Sequence, residues 1–99
     1  MSSGVSSSTS VAVQRWRLNG SVSMRAEPFG ALLYDHASRR LAFVRSARLR
    51  RLIELLDNGC PIDEALTEAG VTGHQRDRHR QAIESLAARG LLVSPVEAA

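Results

Sequence analysis

The stretch Val22–Asp35, which reads VSMRAEPFGALLYD, decides the fold of the first half of the chain. Val22–Arg25 alternates apolar and polar residues, which is the pattern of a half-buried strand. Pro28 interrupts this pattern, because proline lacks the backbone N–H of a strand ladder and restricts the residue before it. A richer apolar run follows over Phe29–Asp35. The stretch therefore predicts two strands joined by a short turn.

A third strand is predicted over Arg40–Val44, after the turn-forming residues Asp35–Ser38. Its alternation separates Leu41 and Phe43 on one face from the residues on the other, Arg40, Ala42 and Val44. Three strands with short connections indicate an antiparallel meander, with Phe29–Asp35 in the middle and an edge strand on each side.

The second half of the chain has the periodicity of helices. Ser46 is placed to cap a first helix, whose apolar positions are spaced i, i+3, i+4 and i+7: Leu49, Leu52, Ile53 and Leu56. Asn58-Gly59 ends that helix, and Pro61 is suited to the first position of a second helix. The second helix ends at Gly70.

A third helix is predicted from a capping box at Thr72–Gln75 to Arg89. Leu91–Val93 after it is either a short final strand or a packing tail. The expected fold class is α+β, a three-stranded antiparallel sheet followed by three helices with helix-turn-helix character.

Length and composition exclude several classes of protein. A chain of 99 residues is one small domain, and its longest apolar runs are far shorter than the ~20 residues of a membrane span. Met1–Ser10 is mostly Ser and lacks the basic and apolar regions of a signal peptide. Cys60 is the only cysteine, which excludes an internal disulfide framework. We expect a cytoplasmic protein that does not contact a membrane.

Composition also sets the expected domain limits. Residues 1–13 are predicted to be a disordered Ser-rich tail, residues 14–94 the folded domain, and residues 95–99 a frayed C-terminus.

The sequence contains no recognisable catalytic or metal-binding motif. His36, His74 and His79 lack the spacing of a metal pair, and neither a glycine-rich phosphate loop nor a nucleophile elbow is present. We therefore expect no enzymatic activity, no metal and no cofactor.

Arginine placement is the most informative feature of the charge pattern. All 13 basic residues are Arg, and the net charge is +3. Six of them fall in one short acid-free segment: Arg39, Arg40, Arg45, Arg48, Arg50 and Arg51. Acidic residues follow further along the chain: Glu54, Asp57, Asp63, Glu64 and Glu68. The basic segment is either a solvated face or a surface for a negatively charged partner.

Two kinds of partner fit such a surface. A nucleic acid would contact Arg76, Arg78 and Arg80 if the third helix were a recognition helix. Asp77 and Glu84 on the same helix, and the lack of a basic wing after it, weigh against that interpretation. An acidic peptide would instead add as a strand to an edge of the small sheet, steered by the flanking arginines.

Three segments, Trp16–Asn19, Val22–Tyr34 and Arg40–Val44, resemble the peptide chaperones of mycofactocin biosynthesis. These belong to the PqqD-like group of RiPP recognition elements, which bind the leader peptides of ribosomally made natural products. The resemblance covers Trp16–Val93 and is most specific over Arg25–Tyr34. It implies a winged-helix-like, PqqD-type domain that acts as a non-catalytic cytoplasmic adaptor. Such an adaptor binds the acidic leader of the mycofactocin precursor peptide and presents it to a radical SAM maturase.

The resemblance also implies where the leader binds, as an added strand on the third predicted strand in a groove completed by the third helix. On the strand the implied residues are Arg40, Leu41, Ala42, Phe43, Val44 and Arg45. On the helix they are Arg78, Ala82, Ser85, Leu86 and Arg89. Leu41 and Phe43 are equally good candidates for the core.

The sequence does not decide the oligomeric state or the surface that contacts the maturase. An exposed edge strand can pair with a second copy of the chain, so a homodimer is an alternative to a monomer. The acidic residues Asp63, Glu64 and Glu68 are one candidate surface for the maturase.

Overall fold

The computed structural model describes residues 15–94, so the expected N-terminal tail and C-terminal end lie outside the described residues and those domain limits stay predictions. In chain order the elements are β1 Arg17–Leu18, β2 Val22–Glu27, β3 Gly30–Asp35, β4 Arg40–Val44, α1 Ala47–Asp57, α2 Ile62–Glu68, α3 His74–Ala88 and β5 Leu92–Val93. The predicted α+β class, with a three-stranded antiparallel sheet followed by three helices, is confirmed.

The larger sheet has the strand order β2-β3-β4 and is antiparallel throughout. In its register Leu32 lies opposite both Arg25 and Phe43, and Tyr34 lies opposite both Ser23 and Leu41. Because side chains alternate along a strand, these six residues share one face of the sheet. The predicted meander, with its third strand at an edge, is therefore confirmed.

The structure has a second sheet of two strands, of which the sequence pattern indicated only the last, as an alternative to a packing tail. β1 pairs with β5 in antiparallel register, Arg17 opposite Val93 and Leu18 opposite Leu92. The end of the domain is therefore a short strand rather than a packing tail. The backbone N–H of Leu18 also donates to Asp57 Oδ1 at 3.0 Å, which ties β1 to the end of α1. A strand of two residues carries no periodicity, so the sequence pattern missed β1.

Of the three helices in residues 15–94, only α1 begins at a side-chain cap. Ser46 caps α1 as predicted, its Oγ accepting from the N–H of Leu49 at 3.0 Å. The capping box predicted for α3 is wrong. Gly73 is the N-cap with φ of +58°, and no side chain caps the helix. Because glycine adopts this backbone conformation without strain, it takes the cap position one residue after Thr72.

The core lies between the inner face of the larger sheet and the helices. Ala31, Leu33, Ala42 and Val44 are buried on the sheet side, while the helices contribute Leu52, Ile53, Leu56, Ile62, Ala65, Leu66, Ile83 and Leu86. α1 packs directly on β3 and β4. The alternative that Leu41 and Phe43 are core residues is wrong, because α1 covers the opposite face of β4 and leaves both side chains exposed. Within residues 15–94, no helix is long and apolar enough to cross a bilayer.

Candidate functional site

The candidate site is the outer edge of β4. Within residues 15–94, β4 forms a ladder with β3 on one side and with no strand on the other. In an antiparallel ladder, alternate residues of an edge strand direct their N–H and C=O groups away from the partner. The edge can therefore accept one more extended segment through backbone hydrogen bonds.

The side chains of β4 alternate between exposed and buried. Leu41 is 50% and Phe43 56% exposed, whereas Ala42 and Val44 are buried against the helices. An added strand would thus contact Leu41 and Phe43 by their side chains. It would contact Ala42 and Val44 only through the backbone, because their side chains belong to the core.

Two exposed arginines stand at the ends of this edge, Arg40 at its start and Arg45 just past its end. The Arg45 guanidinium carbon lies 5.4 Å from the centroid of the Phe43 ring, within the range of a cation–π contact. The ring of Phe29 packs against Phe43 with centroids 6.0 Å apart. Phe29, Phe43 and Arg45 therefore form one continuous surface of positive and apolar character.

The turn that leads into β4 is organised by Asp35. Its carboxylate accepts hydrogen bonds from Ser21 Oγ at 2.8 Å, Ser38 Oγ at 2.9 Å and the N–H of Ala37 at 3.0 Å. These bonds favour the ionised carboxylate, the bond from Ser21 most of all, and lower the pKa of Asp35. Arg39 closes the turn with φ of +61°, the only positive φ at a non-glycine residue in residues 15–94. The turn thereby places Arg40 at the start of the edge.

The structure forms only part of the predicted groove on the helix side. Arg78, Ala82 and Ser85 follow one another at helical spacing on α3, and Arg89 is the C-cap of that helix. Leu86 is buried in the core, so its side chain offers no exposed contact surface. A small pocket of about 20 Å³ brings Arg89 together with Arg40 and Leu41, and its remaining lining residues are Asp35, Ser38 and Leu91. These three of the predicted residues therefore meet at one end of β4.

Two of the three arginines that a recognition helix would need make intramolecular contacts. Arg76 donates to the backbone oxygens of Val71 at 3.1 Å and Asp63 at 3.2 Å. Arg80 forms an ion pair with the Asp63 carboxylate. Both side chains thus tie α3 to α2 and the turn between them. This arrangement weighs against the nucleic-acid interpretation, because only Arg78 of the three is left pointing outward.

The remaining arginines of the basic segment lie on α1, away from the edge. Arg48 donates to Gln75 Oε1 at 3.4 Å and so links α1 to the start of α3. Arg51 lies 4.0 Å from Glu54, and Arg50 is half-buried. The basic segment is therefore divided, with Arg39, Arg40 and Arg45 beside the β4 edge and the other three on the helix.

The described residues contain neither a grouped set of metal ligands nor an activated thiol. Across residues 15–94, no three His, Cys, Asp or Glu side chains are grouped to hold a metal ion. Burial raises the pKa of the Cys60 thiol, and the negative charges of Glu64 and Glu68 raise it further. Cys60 is therefore held as a neutral thiol rather than as a nucleophilic thiolate.

Comparison with known proteins places this chain in a family. The sequence profile of the Peptide chaperone MftB family matches residues 15–93. A protein from Mycobacterium tuberculosis named Peptide chaperone MftB is 36% identical over 78 residues, which are 79% of this chain and 72% of the relative. Proteins of the same name from Mycobacterium ulcerans and Mycolicibacterium smegmatis are each 35% identical, over 84% and 79% of this chain and 75% and 76% of their own lengths. No solved structure matches the chain.

Proposed function

The chain belongs to the Peptide chaperone MftB family, and we propose that it binds the acidic leader of the mycofactocin precursor peptide and presents that peptide to a radical SAM maturase. In this role the protein is a non-catalytic cytoplasmic adaptor. Its contribution is to capture an extended peptide and hold it in one register.

The observation that carries the proposal is the unpaired edge of β4 with an exposed arginine at each end. Backbone hydrogen bonds along the edge supply affinity for an extended peptide of any sequence. Arg40 and Arg45 add selectivity, because they attract carboxylates and repel basic peptides. Apolar leader side chains would lie beside Leu41 and Phe43, the two exposed hydrophobic residues of the strand.

The spacing of the arginines predicts the spacing of the acids that they meet. Arg45 comes five positions after Arg40, and a strand rises about 3.4 Å per residue, so the two positions are roughly 17 Å apart. A bound leader is therefore expected to carry carboxylates about five residues apart, with an apolar residue between them. Arg89, which lies beside Arg40 and Leu41, would add a further positive charge at one end of the peptide.

Isothermal titration with a synthetic acidic leader peptide tests the proposal. We expect saturable binding at low ionic strength that weakens as salt is added, because screening reduces the attraction between the arginines and the carboxylates. A peptide with its Glu and Asp changed to Gln and Asn is the matched control and should bind more weakly. Absence of binding to the acidic peptide at low salt would contradict the proposal.

A duplex DNA probe tests the nucleic-acid alternative in the same buffers. Because Arg76 and Arg80 are engaged with α2, we expect no gel shift at low ionic strength. A shift whose affinity falls steeply with salt would instead support a DNA-binding function.

A further inference from the structure

The face of the larger sheet that points away from the helices is apolar. Within residues 15–94, the large hydrophobic side chains that remain exposed are Phe29, Leu41 and Phe43, and all three lie there. Leu32 and Tyr34 of the central strand, both half-buried, lie on the same face. These five residues are called the outward face below. Exposed apolar residues gathered on one face indicate an interaction surface rather than chance exposure.

A depression of about 310 Å³ marks the outward face. Its lining comes from all three strands: Ser23, Met24, Arg25, Leu32, Tyr34 and Leu41. Most of these residues lie one or two strands inward from the β4 edge. An added peptide strand would lie in the plane of the sheet beside β4 and would leave the depression over β2 and β3 open.

We infer that the outward face docks a protein partner that presents an apolar side chain bordered by carboxylates. The inference rests on the proposed function, under which this partner is the maturase that receives the peptide. The apolar side chain would enter the depression, and the carboxylates would meet the arginines beside it. Anchors of this kind, in a pocket with a polar border, carry most of the energy in protein interfaces.

The charges at the two sides of the outward face favour a different protein over a second copy of this chain as the molecule that binds there. Arg25 stands on one side of the outward face, with its side chain 74% exposed and its Nε 2.6 Å from Glu27. Arg45 stands on the other side, over Phe43. In a dimer formed through this face the positively charged borders of the two copies would meet, and like charges facing each other oppose association. A partner with acidic borders meets no such repulsion.

The position of the face also fits a presenting role. The outward face includes Leu41 and Phe43 of β4, so it continues without a break to the edge where the leader is proposed to bind. A partner seated over Leu32 and Tyr34 would therefore lie next to the peptide. The acidic surface of Asp63, Glu64 and Glu68 belongs to α2, a different element from the edge strand.

Two variants on β2 and β3 test the inference without touching the β4 edge. Arg25→Glu reverses an exposed border charge, and Leu32→Asn places a polar group in the depression. Glu64→Arg, on the rival acidic surface, is the control. Each variant is titrated separately with the synthetic acidic leader and with the purified radical SAM maturase, and thermal unfolding confirms that each is folded.

We expect Arg25→Glu and Leu32→Asn to lower affinity for the maturase at least about tenfold, a difference of about 1.4 kcal/mol. Their affinity for the leader should stay within about twofold of the unchanged chain, and Glu64→Arg should alter neither. Unchanged maturase affinity in both variants overturns the inference, as does a loss caused by Glu64→Arg alone. If the leader does not bind but Arg25→Glu still lowers the affinity for the maturase, the proposed peptide-binding function is contradicted and the docking surface is supported.

Sedimentation of the chain by itself provides a further check. A dimer that dissociates in Arg25→Glu or Leu32→Asn would show that a second copy covers the outward face, which would also overturn the inference. A monomer at the same concentrations supports it.

Discussion

The guanidinium of Arg45 lies over the ring of Phe43, with 5.4 Å between the guanidinium carbon and the ring centroid. Both residues are exposed, so the contact is available to an incoming ligand. A leader carboxylate that binds Arg45 would simultaneously bring its neighbouring residue over Phe43. Charge and apolar contact are therefore coupled at one end of the β4 edge, while Arg40 provides a second charge at the other end.

The first prediction concerns the two arginines of the edge. The double variant Arg40→Glu/Arg45→Glu should lower affinity for an acidic leader at least about tenfold, because two attractions become repulsions. The fold should be unchanged, since both side chains are exposed. Isothermal titration measures the affinity. Arg48→Glu/Arg51→Glu carries the same change in net charge on α1 and is the control. An equal loss in both double variants would show that net charge alone matters and would contradict the assignment of the edge.

The second prediction separates the exposed residues of the sheet from the core. Phe43→Ser should cost less than about 1 kcal/mol of stability, because Phe43 is 56% exposed and loses mainly its contacts with Arg45 and Phe29. Leu33→Ala on the inner face should cost about 2–5 kcal/mol, because Leu33 is fully buried. Urea denaturation measures both values. A cost for Phe43→Ser as large as that for Leu33→Ala would mean that Phe43 is covered in the folded protein.

The third prediction concerns Gly30, which begins β3 with φ of +148°. A Cβ at this position would clash with the backbone oxygen of Val44 and lie 2.7 Å from the backbone nitrogen of Ser46. Because both neighbouring groups belong to the backbone, they cannot rotate away. We expect Gly30→Ala to destabilise the protein by more than about 2 kcal/mol.

Gly20→Ala is the control for Gly30→Ala, since a Cβ there meets no atom within 4 Å. Its effect should stay within about 0.5 kcal/mol. Thermal melts of the two variants give the comparison, and a Gly30→Ala protein as stable as Gly20→Ala would refute the close approach of β3 to the end of β4.

The fourth prediction follows from the lowered pKa of Asp35, which its hydrogen bonds from Ser21 and Ser38 produce. A carboxyl group whose pKa is lower in the folded protein stabilises the fold above its unfolded pKa of about 3.9. That stabilisation is lost as the pH falls from about 4 through the lower, folded value. Asp35→Asn should therefore flatten the decline in stability below about pH 4.

Urea midpoints measured from neutral to acidic pH test the role of Asp35. Ser21→Ala removes the largest of the contributions to the lowered pKa and should flatten the same part of the profile to a lesser degree. Identical pH profiles for the unchanged chain and Asp35→Asn would show that the carboxylate contributes nothing to acid stability.

Much of the fold could be predicted because its signals are local. The alternation along Val22–Asp35 and Arg40–Val44 identified the three strands and their order. The hydroxyl of Ser46 identified the start of α1, since its cap requires only residues three apart. Where a local rule failed, a stronger local preference was responsible, as at Gly73, whose positive φ displaced the capping box of Thr72.

The candidate site was harder to predict because it depends on contacts between distant residues. Alternation assigned Leu41 and Phe43 to one face of β4 but left open whether helices covered that face or the other. Arg76 and Arg80 looked like free cations in the sequence, and only the approach of α2 brings Asp63 to both of them. The ring of Phe29 contacts Phe43 on the exposed face, and no local pattern predicts this contact.

The sequence by itself determined the types and order of the main elements, the caps of α1 and the concentration of arginine near Arg40 and Arg45. Each of these depends on residues that are neighbours in the chain, so backbone preference and periodicity suffice to predict them. Tertiary structure alone decided which face of the sheet the helices cover, which arginines become ion-paired within the fold, and that β1 and β5 meet. Those outcomes depend on the packing of segments far apart in the chain, where burial of the whole apolar surface outweighs any local preference.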